Sequence, residues 1–152
     1  MGIRRWFARA STPDHVALLV DGPNVLREEF DVDLAELLQT AIDDGSTGIG
    51  RLYLDEHASA GLIRAAEANG YDVTVTSGDV DVRLAIDAVE AILSGDFDVI
   101  AIASRDGDFR PVFDRAGRAG LRTMAIAPGT VGRSDALVQA ADEAVMLDPR
   151  EL

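Results

Sequence analysis

Short apolar runs alternate along the chain with stretches in which apolar residues return every three or four positions, the pattern of strands followed by amphipathic helices. His15 to Asp21 holds Val16-Ala17-Leu18-Leu19-Val20, a run continuous enough for a buried strand, and it stops at Asp-Gly-Pro-Asn. From Asp33 onward, Leu34, Leu37, Leu38, Ala41 and Ile42 share one helical face as far as Gly45. Ile49 to Leu54 predicts a second strand. Ser59 is placed to cap a helix through Ala68 with Leu62, Ile63 and Ala66 inward; Asn69-Gly70 supplies its left-handed stop, and Tyr71 to Thr76 follows as a third strand. The next helix starts at Asp79, ends near Ser94-Gly95, and is expected to bury Val82, Ala85, Ile86, Val89 and Leu93. Phe97 to Ala103 is the fourth strand. Asp108 can cap a helix that holds Pro111 in its first turn and Phe109, Val112, Phe113 and Ala116 on one face, before Gly117 or Gly120 ends it. Leu121 to Ala127 makes a fifth strand, and a short helix near Ser134 to Ala141 leads to a last one, Ala144 to Leu147.

Each helix returns the chain for another strand in the same direction. The expected architecture is therefore α/β, with a mostly parallel sheet of five or six strands and helices on both faces. Ligands of such sheets bind at the carboxyl ends of the strands. The domain is expected over residues 15–148, with a tail at 149–152. Residues 1–14 lie outside the pattern; Arg4, Arg5, Trp6, Phe7 and Arg9 make a basic, aromatic tip that reads as a frayed end rather than a partner or membrane contact.

Composition narrows the chemistry. With 152 residues, 47% apolar and 5% aromatic, the chain can bury one core built from Val, Leu, Ile and Ala. No apolar run approaches the roughly 20 residues of a membrane span, so a soluble, cytoplasmic protein without membrane contact is expected. Cysteine is absent and there are two histidines, so any metal must be held mainly by oxygen. The 27 acids comprise 19 Asp and 8 Glu against 14 bases, all of them Arg, for a net charge of −13. That surface resembles the acidic proteins of salt-loving archaea. A GC-rich genome would account for the arginines but not for the acid excess. Net charge does not exclude a nucleic-acid substrate, because phosphate attraction is weak at high ionic strength and local geometry matters more.

In an Asp-rich chain, placement carries more information than number. Asp21 closes the first apolar strand, which itself gives no reason for a charge. Asp106 and Asp108 follow the fourth strand in Ala-Ser-Arg-Asp-Gly-Asp-Phe, and Asp81 lies in the first turn of the helix after the third. These four carboxylates converge if the first and fourth strands are neighbours. Packed together without a base, they repel unless a cation sits among them, and Mg²⁺ or Mn²⁺ suits an all-oxygen donor set. Simpler roles compete: a helix cap for Asp108 and for Asp79, dipole complement for Asp81, an ion pair with Arg83 for Asp87, and turn formation for Asp96 and Asp98. Asn24 can cap the turn after Asp21 or bond a phosphate oxygen, and Ser104 can hold a phosphate or satisfy its turn. Asp55 and His57 end the second strand, where the imidazole reads as a surface residue. Arg105, Arg110, Arg115, Arg118, Arg122 and Arg133 are candidates to guide a nucleic-acid backbone or to pair with surface acids.

Three segments together carry a resemblance: Val-Asp-Gly-Pro-Asn at 20–24, Asp-Val-Asp-Val-Arg-Leu-Ala-Ile-Asp at 79–87 and Ser-Arg-Asp-Gly-Asp-Phe at 104–109. They look like the three blocks of the NYN domain, a PIN-like nuclease family, in the family's order. The resemblance implies a three-layer Rossmann-like α/β domain and metal-dependent cleavage of RNA. By position, Asp21, Asp81, Asp106 and Asp108 match the acidic site, Asn24 matches the polar partner of the first block, and Asp87 matches a recurrent acid of the second. Members of the family often carry Lys-Gly just before the second block, where this chain has Ser77-Gly78.

The expected function is therefore an Mg²⁺- or Mn²⁺-dependent ribonuclease with water as nucleophile. Asp21, Asp81, Asp106 and Asp108 are its metal-binding catalytic acids, and Asn24, Ser104 and Arg105 contact substrate. The alternative is a non-catalytic module that keeps the acidic pocket for RNA, nucleotide or protein. A Toprim-like phosphotransfer domain ranks lower, because the first strand of that family ends in Glu. A haloacid-dehalogenase-like phosphatase ranks lower still, because its strand ends Asp-x-Asp. Pairing through an exposed edge strand would make a homodimer, though nothing in the pattern requires one.

Overall fold

The structure is a computed structural model and describes residues 13–27, 30–43, 45–129 and 136–147. The basic tip at Arg4–Arg9, Arg133 and the tail at 149–152 lie outside the described residues.

The continuous apolar run does form a strand, β1 (Asp14–Asp21), followed by a single helical turn, α1 (Gly22–Val25), that Pro23 starts. Next come α2 (Leu34–Ala41), β2 (Ser46–Asp55), α3 (Ala60–Ala68), β3 (Tyr71–Thr76), α4 (Val80–Ser94) and β4 (Val99–Ala103). A 3₁₀ turn (Gly107–Phe109), α5 (Arg110–Arg118), β5 (Arg122–Pro128), α6 (Ala136–Ala140) and β6 (Glu143–Leu147) complete the order. Local chemistry sets several boundaries. Asp33 caps α2 by accepting from the amides of Ala35 and Glu36, and Ser59 caps α3 by accepting from Leu62. Gly70, at φ +94°, takes the left-handed stop after α3.

The six strands form one all-parallel sheet in the order β3-β2-β1-β4-β5-β6. This is the Rossmann-type order, and its direction of winding reverses between β1 and β4. Helices cover both faces, giving three layers. Strand alternation divides the core accordingly. Ala17, Leu19, Tyr53, Ile100 and Ile102 face α4, α5 and α6, whereas Val16, Leu18, Val20, Leu52 and Leu54 face α2 and α3.

Two expectations are corrected. Val82, Ile86 and Leu93, expected inward on α4, are 52%, 51% and 61% exposed, and the buried row is Val80, Leu84, Ala88, Ala91 and Ile92. The helix has an apolar stripe on each of two opposite sides. Helical periodicity satisfies both, and the smaller alanines let α4 lie close to the sheet. The cap expected of Asp108 falls to Asp106, whose carboxylate accepts from the Asp108 amide at 2.9 Å, because a 3₁₀ turn precedes α5.

One close approach positions the crevice. A Cβ on Gly22 would overlap the Tyr53 carbonyl oxygen, so glycine lets the α1 turn lie directly on the end of β2. Gly22→Ala is expected to cost about 1–3 kcal/mol by overpacking. Leu84→Ala, on the buried row of α4, should cost about 2–5 kcal/mol in chemical denaturation, because it leaves a cavity under a fully covered side chain.

Candidate active site

The register brings the acids together. Val20 pairs with Ala103, so Asp21 and Ser104 follow side by side at the carboxyl ends of β1 and β4, where the winding reverses. Asp21 also lies opposite Tyr53 in β2. By alternation, Asp21, Tyr53 and Ser104 point to the α4 side of the sheet. There an open cleft of about 340 Å³ is lined by Asp21, Pro23, Asn24, Asp55, Gly78, Asp79, Val80, Asp81 and Asp106.

A short hydrogen-bond chain ties the two strand ends. The Asp106 amide donates to Ser104 Oγ at 3.0 Å, and the Ser104 hydroxyl donates to Asp21 Oδ2 at 3.0 Å. Ser104 is fully buried beneath this contact, so it serves Asp21 and the turn rather than lining the cleft. On the other side, Asn24 Oδ1 accepts from the Arg105 amide at 2.8 Å and pins α1 to the loop after β4. Because an amide N–H can only donate, this bond fixes the oxygen of Asn24 and leaves its NH₂ as the donating end.

Asp21 is 6% exposed, and its carboxyl is pushed up to about 6. Burial is the largest cause; the negative charges of Asp106 and Asp81 add to it, while the Ser104 hydroxyl and the Asn24 backbone oppose it. No Arg or His lines the cleft among the described residues.

The structure thus gathers Asp21, Asp81, Asp106 and Asn24. Asp108 is exposed and borders a neighbouring hollow with Gly107, Arg110, Pro111 and Asp114. The Arg105 guanidinium reaches to the Pro128 carbonyl at 2.6 Å, toward β5 rather than into the cleft. Asp87 accepts from the Tyr53 hydroxyl at 2.8 Å and from Arg83 Nε at 3.2 Å, which braces α4 against β2. His57 is exposed and near Glu56. Two further acids, Asp55 and Asp79, line the cleft. Asp79 sits at the N-cap position of α4 but makes no capping bond, and Asp55 ends β2 beside the crevice. The signal for Asp55 was the one that marked Asp21: a carboxylate at the carboxyl end of a strand.

Among the described residues, no three His, Asp or Glu side chains form a ready-made cage for an ion. The donors nonetheless suit magnesium or manganese. These ions keep several waters and need only one or two carboxylates beside a substrate phosphate, and the cleft offers oxygen donors alone.

A three-layer α/β domain with this strand order and a carboxylate-lined crevice at the reversal has a nuclease-like, PIN-type architecture. The NYN domain model matches residues 15–148, and the chain belongs to the NYN domain family. The uncharacterized protein MJ0482 of Methanocaldococcus jannaschii is 38% identical over 141 residues, which cover 92% of this chain and 58% of that protein. The chain thus spans somewhat more than half the length of this relative. A crystal structure of a protein of unknown function, VPA0982 from Vibrio parahaemolyticus, shares the fold with a TM-score of 0.78 and 21% identity, covering 91% of this chain and 95% of the other.

The raised pKa of Asp21 has a definite sign in stability. Unfolding releases the carboxyl from burial, so between about pH 4 and 6 the folded chain binds more protons than the unfolded one, and stability falls as pH rises through this window. In chelator, Asp21→Asn should therefore be more stable than wild type above about pH 7, by about 3 kcal/mol, with the difference vanishing below about pH 4. Denaturation curves across pH measure both limits.

Proposed function

We propose that this NYN domain is a Mg²⁺- or Mn²⁺-dependent ribonuclease that hydrolyses RNA phosphodiester bonds in the cleft at the β1–β4 reversal. The observation that carries this reading is the buried Asp21 carboxylate facing Asp106 and Asp81 with no base among the described lining residues. Such a group calls for a cation, and an open cleft at strand ends leaves room for a chain phosphate.

Asp21 and Asp106 are the central ligands, and Asp81 completes the set directly or through water. Asp55 and Asp79 extend the same negative lining. When bound, the divalent ion supplies Lewis-acid polarisation of the phosphate oxygens and activation of water. Ser104 holds Asp21 in place through its hydroxyl, and Asn24 directs its NH₂ toward a phosphate oxygen. Asp108 takes an outer position, Asp87 acts through Tyr53 and Arg83, and Arg105 acts on substrate through Asn24, which its amide holds, while its guanidinium is tethered to Pro128.

The acidic, lysine-free surface fits a protein of a salt-rich cytoplasm, where mobile ions screen its charge. No helix among the described residues is long and apolar enough to cross a membrane. One observation favours the second reading, an RNA-, nucleotide- or protein-binding module without turnover: Ser77 stands where many family members have Lys, and among the described residues no cationic side chain lines the cleft to meet developing phosphate charge.

End-labelled single-stranded RNA in high potassium chloride separates the readings. Cleavage should require Mg²⁺ or Mn²⁺ and stop with chelator. It should fall at least roughly 100-fold in Asp21→Ala and in Asp106→Ala, and less in Asp108→Ala. Saturable RNA binding by folded wild type without metal-stimulated turnover would sink the nuclease assignment and support the binding module.

A further inference from the structure

Helix α4 has a second face that joins neither core among the described residues. Val82, Ile86 and Leu93 are about half exposed or more, and Val89 between them is half-buried but belongs to neither core. All four lie opposite the row that packs on the sheet. Their spacing of four, three and four residues is the a/d repeat of a helix–helix seam, narrower than the stripe a helix shows to a domain core. A continuous row of large apolar residues in water, on a chain otherwise dense in carboxylates, marks an interaction surface.

Charge identifies the occupant. Glu90 and Arg83, one heptad apart, are exposed along the same flank of the stripe, and Arg83 also holds Asp87 of its own helix through Nε at 3.2 Å. In a parallel pair, flanking positions of opposite sides would meet, and Ala85 occupies the other flank, so no charges would be matched. In an antiparallel pair the same flanks meet, and Arg83 of each copy approaches Glu90 of the other while Val82 stacks toward Leu93 and Ile86 toward Val89. The stripe is therefore complementary to itself under a two-fold axis.

We propose that α4 is the homodimer interface, with two copies of the chain packing their Val82-Ile86-Val89-Leu93 seams antiparallel. This surface is distinct from the sheet edges at β3 and β6. It leaves the cleft open, since Asp79, Asp81 and the other lining acids sit at the N-terminal end of α4 on the side of the sheet ends. Fifteen residues make a helix about 22 Å long, so the two clefts lie at opposite ends of the seam. The association is independent of whether the cleft cleaves RNA.

Analytical ultracentrifugation of the full chain across protein concentration, in low and high potassium chloride, should show 16.2 kDa chains pairing reversibly. Ile86→Glu and Leu93→Glu change exposed positions, so folding, checked by circular dichroism, should persist while self-association weakens by roughly 30-fold or more. Glu90→Arg should also weaken it, by placing Arg beside Arg across the seam while leaving the Arg83–Asp87 pair of each copy intact. Three results would overturn the seam. These are a wild-type monomer at every concentration, a dimer untouched by Ile86→Glu, as edge-strand pairing would give, and a monomer in which Ile86→Glu shifts the fluorescence of Trp6, the chain's one tryptophan, which would assign the face to residues 1–12.

Discussion

The parallel pairing of β1 with β4 is the constraint on which the rest of this structure depends. Every other neighbouring pair of strands follows chain order, joined by one helical crossover; β4 instead leaves the β3 edge and pairs on the far side of β1. The loops after β1 and β4 then diverge to opposite faces of the sheet, and a crevice opens between them. Register decides what that crevice contains. Because Val20 pairs with Ala103, Asp21 and Ser104 emerge at one level, close enough for a direct hydrogen bond, and Asp106 follows through its amide.

The same geometry sets a tension between stability and chemistry. An apolar sheet would gain nothing from a carboxylate at the buried end of its first strand, and Asp21 is held there by one hydroxyl and a backbone amide against burial and two like charges. Features that oppose folding persist where they serve a site. The supporting contacts are correspondingly firm: Ser104 under Asp21, Asn24 across to Arg105, and Gly22 allowing α1 to lie on β2. The end of β1 aims Asp21, and the hydrogen-bonded turn after β4 aims Asp106.

Helix α4 links the site to the molecular surface. Its first turn brings Asp79 and Asp81 to the cleft, its inner row closes the core over β1 and β2, and Asp87 between Tyr53 and Arg83 ties its middle to β2. Its outer row is apolar without contributing to that core. A helix with apolar stripes on opposite sides is ordinary only when both sides have something to pack against.

Element type and order were legible in the sequence because apolar periodicity, caps such as Asp33 and Ser59, and the Asn69-Gly70 stop are local properties of the chain. So was the weight given to Asp21, a charge at the end of an apolar strand, and to Asp106 and Asp81 near other strand ends. Periodicity could not choose between the two stripes of α4, since both satisfy the helical repeat and only packing against β1 and α5 selects the alanine-rich side. Nor could it give the strand order that places β4 beside β1, the 3₁₀ turn that makes Asp106 rather than Asp108 the cap, or the tether that draws the Arg105 guanidinium toward Pro128. Hydrogen bonding within a few residues and hydrophobic spacing are written along the chain. Which carboxylates share a cleft depends on contacts between segments some eighty residues apart, and those exist only once the sheet has closed.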